Sequence, residues 1–597
     1  MTSPIRSPQA PSPALGWLLA APALLGTLIS LVLPTGQSIW LSFQSGGVLK
    51  EATFTGSSNY TELLGGGDWW RALGFTVSVT LLPLVVALVV GPLLAAALDW
   101  GGTWVRWAGR VVLSLAVVTF SPVAVAMGWI QGMDPSASGV ATLVQGLREP
   151  VTAPGAMRLL VAAATFGVVC ALATMAFLPA LRGGRVVPAM LVVAALVGLT
   201  MIAVGLQAFS IAFVLSRGGP ERTTETLAQL QYTKAFAHAD FGAGAAVAVL
   251  TGVILGVLGI VATVIAVVSR LSITVTARAG AGAGPEPQRV AQGAPGSPAF
   301  QQGPPAFQGP PAFQGPSAHP DPPAFQSPPA HQDPPAFQEG LPERRPGAVG
   351  IAVGVVALVV VVALALVFTW PWIDGVLGRS GFQGRGGPEI GLRTHVNTWV
   401  PAVVGAIISV SVAYLGALGI GGLRPLGRRS EWLLLAFAPW LFVGPAPLAV
   451  ANWQNMRNLG VLDSFFSLFP PLLVSVPALL VLTLLCKGLA ERTDRDFFSG
   501  VFLPSLPMAG ILAGGVTLLN AHDLLWPLLV AQDNTLFPTP VAQVAGLSSY
   551  GAGAPDVGAA TPLVVVAVAV IAVVAAQLWY LDRLAVTLGG SRPRTSA

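Results

Sequence analysis

Long apolar runs, broken by short stretches of polar, glycine or proline residues, set the pattern of this chain. A helix needs about 20 apolar residues to cross a hydrocarbon core, where every backbone group must be paired within its own segment. Runs of that kind predict spans near 14–36, 75–98, 109–131, 157–180, 187–214 and 243–269, then near 348–370, 398–422, 432–452, 469–486, 504–528 and 560–581. The pattern predicts an all-α polytopic membrane protein of two six-helix transmembrane bundles, 12 spans in all. The first run is expected to be retained: it is long, only Arg6 supplies positive charge before it, and it flows into Leu33-Pro34 and Trp40 without a small-residue cleavage pattern.

Composition supports a chain that lives in lipid. Of 597 residues, 54% are hydrophobic and 9% charged, and mean hydropathy is +0.73, which excludes a water-soluble fold. The net charge of +5 is small and scattered, so no basic stripe marks a nucleic-acid partner. The two cysteines, Cys170 and Cys486, both sit in apolar runs. They argue against a disulfide scaffold or a metal centre and for soft packing. With both termini inside, the inner loops hold most of the Lys and Arg, among them Arg106, Arg110, Arg424, Arg428, Arg429 and Lys487. That asymmetry predicts a multi-pass membrane protein with cytoplasmic N- and C-termini.

A tract of Pro, Gly, Gln and Ala separates the two sets of spans. Pro-Pro-Ala-Phe-Gln recurs at Pro304, Pro310, Pro322 and Pro334, with variants at Pro316 and Pro328. Such a segment cannot bury enough apolar surface to order itself and is expected to be an extended cytoplasmic tether. The organisation is thus a first half 1–279, a disordered linker 280–347 and a second half 348–597. The halves share features at an offset of 316: Cys170 with Cys486, Pro188 with Pro504, Asp240 with Asp556, and Gly242-Ala243 with Gly558-Ala559. Residues 206–211 also parallel 519–524 at an offset of 313. Because each half begins inside, they are expected to be parallel repeats with a pathway between them.

The chain holds no energy source of its own. A phosphate loop needs Gly-Lys followed by Ser or Thr, yet Lys50, Lys234 and Lys487 are followed by Glu51, Ala235 and Gly488. No cofactor is expected in this chain, and any ATP must be hydrolysed by a partner subunit. The five histidines form no recognisable Ser/His/Asp or Cys/His set, so the chain is not expected to be an enzyme. Span interiors are almost free of charge, with His522 and Asp523 as the main exceptions. These two are readable as a gate, a substrate contact or an interfacial polar pair.

The segment after the fifth span carries a family resemblance. Arg217-Gly218-Gly219-Pro220, Thr223-Thr224-Glu225-Thr226-Leu227, Tyr232, Ala235-Phe236 and Asp240-Phe241-Gly242 resemble the outer loop of permease subunits of binding-protein-dependent ABC importers for sugars. Leu41-Ser42-Phe43, Asn59-Tyr60, Trp70-Arg71-Ala72-Leu73 and Ser121-Pro122 extend the likeness, of maltose type, over most of the first half. The second half resembles the partner permease through Leu503-Pro504, through 522–529, and through Leu536-Phe537-Pro538-Thr539-Pro540-Val541. Here His522 and Asp523 stand where the family has Asn and Glu. The resemblance implies two permease subunits fused in one chain. It also implies three partners: an extracellular substrate-binding protein facing Gly218, Gly219 and Pro220, a cytoplasmic ABC ATPase dimer, and a small-molecule solute, a sugar.

In that family the loop between the fourth and fifth spans docks into the ATPase through a Glu-Ala-Ala, Gly and Leu-Pro motif. The second half keeps Glu491-Arg492-Thr493-Asp494-Arg495-Asp496-Phe497-Phe498, then Leu503 and Pro504, and lacks the Glu-Ala-Ala start. The first half keeps Arg182-Gly183-Gly184-Arg185 before Pro188. Position in the family's loop makes Arg492, Asp494, Arg495, Phe498, Leu503, Pro504, Arg182, Arg185 and Pro188 the ATPase-coupling candidates. Gln207, Phe209, Asn520, His522 and Asp523 are the pathway candidates, as polar or aromatic groups within apolar spans, though helix packing explains Gln207 and Asn520 equally well. Two alternatives stay open. One is a secondary, major-facilitator-like carrier, whose Gly-x3-Asp-Arg-x-Gly-Arg turn is not matched because 101–110 lacks the Asp. The other is a non-transporting membrane protein with decayed docking loops.

Overall fold

Helices follow the apolar runs because no other element pairs its whole backbone internally in lipid. The computed structural model describes residues 13–47, 52–131, 140–182, 184–275, 347–376, 390–492, 496–548 and 560–589. Among these, nine helices are long and apolar enough to cross a membrane, and ten if one bent pair is a single span. The first half contributes α1 (Pro13–Leu41), α2 (Asp68–Trp100), the bent pair α3 (Gly102–Val118) and α4 (Pro122–Ile130), α5 (Ala153–Leu181), α6 (Val186–Ser216), the short α7 (Leu227–Tyr232) and α8 (Phe241–Val268). The second contributes α9 (Ala348–Trp370), α10 (Leu392–Leu423), α11 (Pro445–Asn458), α12 (Val476–Ala490), α13 (Phe498–Ala521), α14 (Leu525–Val530) and α15 (Leu563–Trp579). The Pro-rich tract, like Asp556, Gly558 and Ala559, lies outside the described residues.

Three departures from the expected spans trace to proline. The predicted span 432–452 is two short 3-10 segments, Gly427–Ala436 and Ala438–Trp440, followed by the separate α11. Pro439, Pro445 and Pro447 each remove a backbone donor there, so no continuous α-helix forms despite the apolar composition. The predicted span 469–486 is the 15-residue α12, whose start after Pro470-Pro471 leaves it short of a full crossing. The predicted span 109–131 bends by 69° ahead of Pro122. The chain is also not wholly α-helical. Among the described residues two antiparallel ladders occur, β1 (Gln44–Ser45) with β2 (Thr53–Phe54), and β3 (Leu271–Val275) with β4 (Leu584–Leu588).

The described residues on both sides of the tract pack into one unit, in which each half lends its first helix to the other. Helix α1 packs on α10 and α9 packs on α2 and α3. Glycine permits both crossings: a β-carbon on Gly419 would lie 2.4 Å from the Gly16 carbonyl oxygen, and one on Gly354 would lie 2.2 Å from Gly101 Cα. Only a bare backbone fits at such distances. Apolar clusters then join the halves, one around Phe177, Leu178 and Val193 with Leu484 and Val586, another around Phe209 and Phe241 with Trp453 and Trp526. Cys170 and Cys486 are buried free thiols within this packing.

Candidate functional site

Most ion pairs among the described residues gather at the end of the bundle where α5 and α12 finish. In the first half Arg182, the residue capping α5, bonds both the carboxylate and the backbone carbonyl of Asp582, the residue pair being 400 positions apart. Arg106 reaches the same carboxylate at 3.2 Å and Asp99 at 2.9 Å, while Arg110 lies 3.5 Å from Asp582 and donates to Gln577 at 3.2 Å. One carboxylate thus gathers three guanidinium groups, with Asp99 compensating part of the excess. In the second half Lys487 meets Glu431 at 2.7 Å and donates to the Leu271 carbonyl at 3.2 Å. Arg424 joins Glu431 at 3.5 Å and Glu491 at 2.9 Å. Charges this buried persist only when partnered, because an isolated one carries a large desolvation cost.

This geometry separates the coupling candidates. Arg182 is buried in its ion pair, whereas Arg185 and Pro188 are exposed at the start of α6. Arg492 is exposed just past α12. Asp494 and Arg495 lie outside the described residues. Asp496 opens α13 by accepting the Ser499 amide at 3.1 Å and the Ser499 hydroxyl at 2.5 Å, bonds that hold its carboxyl below the usual aspartate range. Phe498 is 57% exposed and stacks on Phe502 at 5.2 Å, Leu503 is exposed, and Pro504 is half-buried. The second half therefore presents an aromatic and an aliphatic side chain at this end, where the first half presents Arg185, Val187 and Pro188.

The pathway candidates lie toward the other end. Gln207 ends the regular part of α6 and bridges the halves: its amide donates to the Phe442 carbonyl and accepts from the Gly444 amide, both at 2.7 Å. The irregular backbone before α11 exposes those two groups, so the proline-broken segment and Gln207 satisfy one another. Phe209 is buried and begins an aromatic series through Phe213 and Tyr232 to Phe236, which meets Trp453 of the second half at 5.8 Å. Asn520 donates to the Ala402 carbonyl at 3.3 Å. His522 is buried, with its ring edge-on to Trp399 at 6.1 Å and 3.4 Å from the Thr561 hydroxyl. Asp523 accepts the Leu525 and Trp526 amides at 3.2 and 3.3 Å and so starts α14. Asn520 and Asp523 share a cavity of about 10 Å³, which has room for about one water and none for a larger guest in this conformation.

The segment from Gly218 to Gln231 folds back into the protein. Gly218 and Gly219 take positive φ values of 99° and 72°, and Thr224 returns its amide to the Gly218 carbonyl at 3.0 Å. Gly218 is buried while Gly219 and Pro220 are half-buried. Thr226 and Gln229 cap α7 reciprocally, and Gln231 crosses to the Ala446 carbonyl of the second half at 2.6 Å. Sequence reasoning placed Arg106, Arg110, Arg424 and Lys487 only as inner-loop charges and missed Asp582 and Glu431 altogether. The available signal was scarcity: in a chain with so few charged residues, an acid beside an apolar span needs a partner.

Comparison with known proteins gives the chain its relatives. No family model matches it. It is 26% identical over 276 residues to the multiple sugar-binding transport system permease protein MsmF of Streptococcus mutans, covering 41% of this chain and 92% of that protein. It is 28% identical over 294 residues to the diacetylchitobiose uptake system permease protein DasB of Streptomyces coelicolor, covering 42% of this chain and 86% of that one. A third likeness, 28% over 143 residues, is to the trehalose transport system permease protein SugA of Mycobacterium tuberculosis, of which it spans 45%. Two of the three relatives are thus matched over most of their own length by about two-fifths of this chain.

Proposed function

Because this chain is a relative of the permease proteins of sugar ABC transport systems, we propose that it is a carbohydrate-uptake permease in which two such subunits are fused. The observation that carries the reading is the pair of near-full-length matches to MsmF and DasB by less than half of the chain. The fused repeat reading draws support from the β3–β4 ladder, where Ile273 opposes Val586. These residues are 313 positions apart, the offset that relates 206–211 to 519–524. The crossings of Gly16 with Gly419 and of Gly354 with Gly101, in which the first helix of each half meets the other half, also support it.

In this reading an external binding protein delivers the solute, and a separate ATPase dimer supplies the energy through Arg492, Phe498 and the start of α13. The halves alternate access around a cavity near the membrane midplane. Exposed Phe498 and Leu503 give an ATPase groove an apolar purchase, and Gln207, Asn520 and Asp523 sit where the second half meets the first or turns on itself. The test is uptake. Vesicles holding the full chain with a cognate binding protein and ATPase should accumulate radiolabelled trehalose, maltose or diacetylchitobiose only when ATP is present. Accumulation driven by a proton gradient without the ATPase would instead favour a secondary carrier.

A further inference from the structure

The β3–β4 ladder joins the ends of the two halves. Each strand follows the last helix of its half, and the two pair with Ile273 opposite Val586, so equivalent residues meet at the ladder centre. All five residues of β4 are buried, as are three of the five in β3. Each strand also lies on the other half: β3 packs on α12 and β4 on α5. At Gly488 the fit to β3 is so close that an added β-carbon would lie 2.1 Å from the Ile273 carbonyl oxygen. Leu271, Val586 and Leu588 share an apolar cluster with Phe177 and Leu178 of the first half and Leu484 of the second. The ladder therefore fills the junction between the halves at the end where α5 and α12 finish.

Two cations fasten it there. Lys487 on α12 donates to the Leu271 carbonyl at the start of β3, and Arg182 at the end of α5 holds Asp582 just before β4. Those same helix ends lead into the two candidate coupling loops.

We propose that the β3–β4 ladder is the gate at this end of the conduit, with Arg182 and Lys487 as positioning residues that tie it to the coupling loops. The proposal rests on the reading of the chain as a transporter whose route runs between its halves. A solute following that junction meets the ladder and passes only when the strands part or shift. The bonds across it suit a gate rather than a permanent seal, because the side-chain links are neutral: Ser272 to Thr587 at 2.9 Å and Thr274 to the Ala585 carbonyl at 3.3 Å.

The experiment uses the full chain in liposomes with its ATPase and binding protein, in a C170A/C486A background, carrying the directly opposed pair Ser272→Cys and Thr587→Cys. Oxidation should close a disulfide and cut ATP-driven uptake about tenfold relative to the same variant reduced, as expected when a required opening is blocked. A verified disulfide that leaves uptake unchanged would make the ladder a static staple and overturn the proposal. A background protein with no ATP-driven uptake at all would sink the transporter reading instead.

Passive leak supplies a second readout without ATP or partners. Gly488→Val and Arg182→Gln should each release trapped sucrose several-fold faster than the unmodified chain, with Arg182→Lys restoring tightness. Tight vesicles from folded variants, judged by unchanged elution in detergent, would also overturn the gate.

Discussion

Gln207 shows how one amide joins the halves. It satisfies a carbonyl and an amide that the broken backbone at 442–444 leaves open, and removing it strands both in a low-dielectric interior. Gln207→Ala should cost about 1–3 kcal/mol, read as a lower unfolding temperature of the detergent-solubilised chain. An unchanged temperature would mean that other groups or water take over these bonds. Glu225 gives a pH signature. Burial pushes its carboxyl above the usual value, outweighing the lowering pulls of Arg222 and the Thr233 hydrogen bond. The folded state then holds the proton more tightly than the unfolded one. The stability linked to Glu225 is therefore present below the ordinary glutamate value of 4.5 and is lost as pH rises through the folded value. Glu225→Gln removes that loss, so its unfolding temperature should exceed the parent's at pH 8, and the gap should shrink toward pH 4.

At the scale of elements, glycine sets how closely the exchanged first helices approach. Gly354 faces backbone of Gly101, and Gly419 faces the Gly16 carbonyl, so a larger side chain at either position forces the helices apart. Gly354→Val and Gly419→Val should each destabilise by about 1–3 kcal/mol, seen as lower thermal stability and folded yield. Gly514→Ala is the control, since nothing lies within 4 Å of the β-carbon it would add. A helical glycine gains propensity when it becomes Ala or Val, so equal losses at all three positions would point to a general effect of filling glycine sites and not to the crossings. Proline acts at the same scale: Pro439 and Pro445 interrupt the apolar run between the 3-10 segments and α11.

For the whole molecule, the mutual exchange of α1 with α9 and of β3 with β4 means that the halves hold one another through contacts outside the Pro-rich tract. Residues 1–279 and 348–597 co-expressed as separate polypeptides should therefore copurify through a tag on either one. They should retain uptake within about a factor of three, because the effective concentration supplied by a tether matters little once an interface is extensive. Failure to copurify would make the covalent link essential to assembly. Gly354→Val should weaken the capture of one half by the other more than it lowers the yield of either half.

Apolar run length alone determined most of the helices, because backbone pairing in lipid leaves few other choices, and polarity inside apolar runs marked Gln207 and Asp523 as pathway candidates. The ordered match of 217–242 to an outer loop was also readable without coordinates. What the tertiary structure decided was everything that depends on distant neighbours. Arg182 looked like a loop charge until Asp582, remote in sequence, neutralised it, and β3 and β4 are five-residue strands too short to stand out beside long helices. Their pairing exists only because the ends of both halves converge on one junction, and no local pattern carries the free energy of that encounter.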